Sequence, residues 1–170
     1  MAEAARVGRS CTALYGAGVR YPCLGAVWTD FFELAELTPE ALPEGAVVLS
    51  RKPRLYYALG GNRSSIYPFT PEPSVFFATA DSVHARYVVF DRLGGTADAY
   101  LRPVLLRKPQ AFCIMRVMAA TGTVLFGIRP DHTAAPDLGE SGLREPASSF
   151  SFCGVDYWRN AEAMQTFRGP

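Results

Sequence analysis

The stretch Ala46-Val-Val-Leu-Ser-Arg-Lys-Pro-Arg-Leu-Tyr-Tyr-Ala-Leu-Gly-Gly61 constrains this chain more than any other. Val47, Val48 and Leu49 form a short, continuous apolar run that follows the turn residues Pro43-Glu44-Gly45. A run bounded in this way predicts a strand covered on both faces. Ser50 is placed to cap a helix, Pro53 suits its first turn because its φ is preset, and Gly60-Gly61 supplies the stop. Leu55, Tyr56 and Leu59 share one face of that helix. Arg51 and Lys52 then fall at the carboxyl end of a strand, where open α/β sheets bind ligands. Set against that site is the plainer reading of two solvated cations on a turn.

The residues up to about 130 repeat this logic. Phrases near 46–50, 65–68, 86–91, 111–118 and 123–128 read as strands of one sheet, the first three parallel because helices connect them, the last two a hairpin across Thr121-Gly122. The prediction is an α/β fold: a small three-layer domain with a mostly parallel sheet and a C-terminal antiparallel hairpin. Helices are expected over 27–37, 53–59, 71–84 and 96–106, the last kinked at Pro103. Val75, Phe76, Thr79 and Val83 should face the core, and Val48, Leu49, Phe76, Val88, Val89 and Ile114 should be nearly fully buried. His84 reads as a helix-end residue, and Asn62-Arg63-Ser64 as a loop that matches the glycosylation sequon. Residues 1–26 read as an irregular arm with one short strand or helix near Cys11–Tyr15, residues 27–130 as the α/β domain, and 131–170 as a loop and a C-terminal extension. That extension would carry a short strand at 150–154 and a closing helix at 157–164.

In the 27–37 helix, Val27, Phe31, Leu34 and Ala35 share a face with Trp28 and Phe32 beside it. The stripe either packs on the sheet or, if Trp28, Phe31 and Phe32 stay exposed, meets a partner or a membrane. Asp30, Glu33 and Glu36 read as a solvated opposite face rather than a metal patch.

Composition narrows the function classes. The 170 residues suffice for one domain with a real core, and 49% hydrophobic against 19% charged residues indicates a globular chain. A net charge of +1 argues against nucleic-acid binding through a broad basic surface. No apolar run reaches the roughly 18–20 residues that span a bilayer, and the first residues lack the apolar core of a signal peptide. The four cysteines, Cys11, Cys23, Cys113 and Cys153, form no CxxC pair, and His84 and His132 complete no ligand spacing, so no metal or cofactor is expected. The cysteines read as buried free thiols, with disulfides reserved for an oxidising compartment, where three pairings are open. There is no GxSxG elbow, no P-loop and no GxGxxG, whose place Ser50-Arg51-Lys52-Pro53 takes.

Five phrases in order, Val47-Val-Leu-Ser-Arg-Lys-Pro53, Ile66-Tyr-Pro-Phe69, Ala85-Arg-Tyr-Val-Val-Phe-Asp91, Tyr100-Leu-Arg-Pro103 and Thr123-Val-Leu-Phe126, resemble the soluble C-terminal domain of bacterial polytopic membrane glycosyltransferases of the dolichyl-phosphate-mannose-protein mannosyltransferase type. The resemblance covers about residues 28–130. It implies the extramembrane part alone, on the periplasmic side, without the catalytic acid that such enzymes carry between membrane helices. The expectation is therefore a non-catalytic domain that associates with a membrane protein or complex. Two alternatives stand beside it. One is a binder of a phosphate-containing small molecule or lipid headgroup through Arg51, Lys52 and Asp91; in its plainer form Arg51 pairs with Asp91 and merely holds the sheet edge. The other is a small enzyme, which a buried, shifted carboxylate in a cleft would favour.

Overall fold

A computed structural model describes residues 10–143 and 150–154. Residues 10–16 are helical. Then follow α1 (Ala26–Ala41), β1 (Val47–Leu49), α2 (Pro53–Gly60), β2 (Arg63–Ser65), α3 (Pro73–Ser82) and β3 (Ala85–Phe90). A π-helical turn at Ala97–Leu101 leads into α4 (Arg102–Arg107), followed by β4 (Phe112–Met118), β5 (Thr123–Ile128) and a short helical turn at Gly139–Gly142. The strands form one sheet in the order β2-β1-β3-β5-β4. β1 pairs parallel with both β2 and β3, while β5 runs antiparallel to β3 and β4. This is the mixed α/β architecture expected from the apolar runs and the turn at Thr121-Gly122.

Strand alternation divides the core between the two faces. Val47, Leu49, Val88, Phe90, Phe112, Phe126 and Ile128 pack on one side with Phe76, Phe77 and Ala80 of α3 and with Leu101, Val104 and Leu105. Val48, Tyr87, Val89, Met115 and Leu125 pack on the other with Phe31, Leu34 and Ala35 of α1 and Tyr56 of α2. Five of the six residues named as core are buried; Ile114 is only partly so.

Several local readings need correction. β2 lies at Arg63–Ser65 rather than 65–68, so part of the stretch read as a loop is an edge strand. Asn62 is 9% exposed, which leaves the sequon folded away. α1 runs through Pro39 to Ala41, beyond the helix expected over 27–37. Pro39 lacks the N–H that would bond Ala35, and Gly60 of α2 packs directly against the Ala35 carbonyl. Lys52, not Ser50, is the N-cap residue of α2; Ser50 Oγ accepts the Lys52 N–H at 3.2 Å. α3 presents Phe76, Phe77 and Ala80 to the core, and Val75 points outward. His84 follows that helix end at φ 56°. The expected kink at Pro103 is taken up one turn earlier, where the Arg102 N–H bonds the Ala97 carbonyl in the wider π pattern.

The cysteines are not free thiols. Cys11 bonds Cys23 and Cys113 bonds Cys153. The second bridge ties residues 150–154 to β4: Ile114 N–H donates to Ser151 O at 2.8 Å and Cys153 N–H to Ile114 O at 2.9 Å. Phe152 makes a parallel bridge to Ile114, so the short strand expected there is one bridge long. The expected closing helix at 157–164 lies outside the described residues.

Candidate functional site

The carboxyl ends of β1 and β3 sit side by side because these strands pair in parallel, and this brings Arg51 and Asp91 together. Asp91 is fully buried. Its Oδ1 accepts the Leu93 N–H at 3.0 Å and lies 3.6 Å from Arg51 Nε. Arg51 also donates through Nη2 to the Leu93 carbonyl at 2.6 Å and through Nη1 to Thr96 Oγ1 at 3.4 Å. The guanidinium is thus spent largely on the β3–α4 connection. Lys52 is exposed, and its charge reaches Asp91 only through longer-range attraction. Of the residues expected to hold an anion, the structure joins Arg51 to Asp91 and leaves Lys52 on the surface.

Three buried polar atoms in this corner lack a hydrogen-bond partner among the described residues: Arg51 Nε, Asp91 Oδ2 and the Tyr67 hydroxyl. Burial pushes the Asp91 carboxyl above its ordinary range, against the opposing pull of the Leu93 N–H and the Arg51 guanidinium. Burial, and then the Asp91 charge, also push the Tyr67 phenol up. Tyr67 falls within the stretch near 65–68 that reads as a strand, and nothing in its local sequence marks the hydroxyl as sharing this corner. Asp91 lines none of the four cavities described for the molecule. It is a shifted carboxylate outside those four cavities.

The sign of the pH effect follows from the raised value. Folded Asp91 holds its proton more tightly than the unfolded chain does. Its contribution is fully present below the unfolded carboxyl value of about 4, and is lost as pH rises through the higher folded value. Asp91→Asn should therefore remove that downward slope from the stability-against-pH curve, measured by urea titration from about pH 4 to 8. An unchanged slope would show that the carboxyl titrates normally.

The aromatic face of α1 is divided. Phe31 is fully buried against Tyr56, with ring centroids 5.8 Å apart. It belongs to the core, which corrects its place among the partner-facing residues. Phe32 is half-buried between Tyr21 and Trp28, and Trp28 is 36% exposed. Asp30 is buried too, contrary to the solvated reading: its Oδ2 accepts the Thr121 N–H and hydroxyl at 2.9 and 2.6 Å and fixes the β4–β5 turn. Glu36 accepts from Arg20 and from the Tyr21 hydroxyl, which is pushed up to about 12 by burial and by that carboxylate.

A second polar corner lies at the opposite end of the sheet. His132 is buried and stacked on Phe77 at 4.6 Å; its Nδ1 lies 2.9 Å from the Arg129 carbonyl and its Nε2 lies 3.2 Å from Asp81 Oδ2. It borders a cavity of about 380 Å³ with Arg107, whose guanidinium forks onto Asp137 at 2.8 and 3.1 Å. That contact holds the Asp137 carboxyl below its usual range. Among the described residues no hydroxyl or thiol hydrogen-bonds His132, so the pair clasps the 129–135 loop to α3 without presenting a nucleophile. No local pattern signals this pair, since His132 sits in a stretch rich in proline and glycine.

No helix among the described residues is long and apolar enough to cross a membrane, and no cluster of metal-ligating side chains occurs among them. No protein-family model and no curated protein matches the chain. Among solved structures, the C-terminal globular domain of an oligosaccharyltransferase from Archaeoglobus fulgidus aligns with 62% of this chain and 99% of its own, at 10% identity and a TM-score of 0.39.

Proposed function

We propose that the chain is a non-catalytic interaction domain that docks onto an integral membrane protein through its N-terminal arm and the outer side of α1. The observation that carries this reading is the run of exposed large apolar side chains at Leu14, Tyr15, Val19, Leu24 and Trp28. Isolated exposed apolar residues need no explanation, but a concentration of them within one short segment favours a docking surface. The arm is also held in place. The Cys11–Cys23 bridge closes it, and Arg20 and Tyr21 anchor it to Glu36. A held surface loses little entropy on binding. The five phrases that resemble the extramembrane domain of membrane glycosyltransferases support the class of partner.

The test is a photo-crosslinking residue placed at Tyr15 in cells of the source organism. The expected product is an adduct with an integral membrane protein, weakened about tenfold in a Leu24→Ser/Trp28→Ser variant that melts like the wild type, a loss equivalent to about 1.4 kcal/mol. Adducts only with soluble proteins or with copies of the chain itself would overturn the reading.

A further inference from the structure

The open edge of the sheet carries an unneutralised basic groove. Most arginines of the described residues are engaged: Arg20, Arg51, Arg86, Arg92, Arg102 and Arg107 all face carboxylates. Arg54 and Arg63 have neither an ion pair nor a hydrogen-bond partner among the described residues, and both line one groove of about 490 Å³. Its other walls include Tyr57 of α2 and the consecutive residues Ser64, Ser65 and Ile66. No acidic residue lines it; Glu44 borders the adjoining cavity that Arg63 also touches.

The run of lining residues decides what kind of groove this is. Successive side chains of a strand point to opposite faces. A cavity bordered by Arg63, Ser64, Ser65 and Ile66 in succession therefore lies along the strand's edge and not over one face. β2 is the last strand of the sheet and pairs only with β1, so this edge presents backbone groups that no neighbouring strand takes up. Tyr57 and Ile66, exposed by 58% and 44%, line it with apolar surface.

We propose that this groove binds an extended acidic segment of a partner protein, which adds as a further strand beside β2. Backbone pairing would supply the register; Arg63, which follows Val47 and Leu49 to one face of the sheet, and Arg54, on the α2 face, would draw carboxylates on the two sides of the segment, and Tyr57 and Ile66 would cover apolar side chains on the α2 face. This surface is separate from the arm around Trp28, so the two readings stand or fall independently. The opposing explanation is protective: short edge strands with charged side chains also discourage pairing.

The probe is a fluorescein-labelled peptide of repeated Glu-Glu-Val-Val, which presents carboxylates and apolar side chains on both faces of an added strand, titrated at low salt with anisotropy as the readout and amide NMR on the unaltered protein as the second measurement. Binding should shift the amides of residues 63–66 first. It should weaken about tenfold in Arg54→Glu and in Arg63→Glu, and it should fail for a peptide N-methylated on alternate backbone nitrogens. The Leu24→Ser/Trp28→Ser variant should bind normally. Absence of binding, equal binding of the N-methylated peptide, or displacement by inorganic phosphate at the same concentration would overturn the proposal. The last two outcomes would reduce the groove to a site for small anions.

Discussion

Replacing Gly60 by alanine should destabilise the protein by about 3 kcal/mol or more, although alanine is the better helix former by up to about 1 kcal/mol. The reason is the contact between α1 and α2. A Cβ on Gly60 would lie 2.1 Å from the Ala35 carbonyl oxygen and 3.0 Å from its carbon, both backbone atoms of a packed helix. No rotamer change relieves that overlap, so the two helices must separate and Phe31, Ala35 and Tyr56 must repack with them. Gly61 is the control. Its φ of 72° disfavours alanine, but a Cβ there meets nothing within 4 Å, so Gly61→Ala should cost only about 1–2 kcal/mol. The checking measurement is the urea midpoint of both variants. Equal losses would mean that the helix contact yields easily and that only backbone conformation matters.

The Gly60 contact also shows where local reading of the chain stops. Gly60 was legible as a helix stop, and Gly61 does adopt the left-handed conformation of one. That Gly60 also lets α2 approach α1 depends on Pro39 lying in the last turn of α1 and on two helices distant in sequence meeting. The buried strands were legible because β1 and β3 are covered on both faces, which forces continuous apolar runs. β2 was misplaced because an edge strand needs no such run, and Arg63-Ser64-Ser65 carries no hydrophobic pattern at all. On α1 the apolar stripe was visible, but its width could not reveal that Phe31 goes inward while Trp28 remains partly outside.

The candidate sites divide in the same way. Arg51 and Asp91 each end an apolar run, and parallel pairing of those runs is enough to place them together. The third member, Tyr67, comes from the chain beyond the edge strand, and no periodicity relates it to the other two. His132 and Asp81 are 51 residues apart and meet only because α3 and the loop after β5 close over the same end of the sheet.

Removing the Cys113–Cys153 bridge should be the other large loss. The cysteines lie 40 residues apart, and loop-closure entropy for that separation corresponds to about 4 kcal/mol of stability. Both cysteines are buried, so the comparison is between the wild type and a Cys113→Ala/Cys153→Ala variant, which reductant need not penetrate. The bridge fastens residues 150–154 along β4, where Phe150 packs on Phe126 at 5.2 Å and closes an apolar cavity of about 260 Å³. Its loss should lower the melting temperature by roughly 10 °C and expose that cavity to a hydrophobic dye. The Cys11–Cys23 bridge spans 12 residues in the arm, so Cys11→Ala/Cys23→Ala should disturb the docking proposed for Tyr15 and Trp28 more than global unfolding. Bridges of this kind form and persist in oxidising compartments. If the Cys113→Ala/Cys153→Ala variant melts with the wild type and excludes the dye, the bridge holds nothing that packing does not already hold.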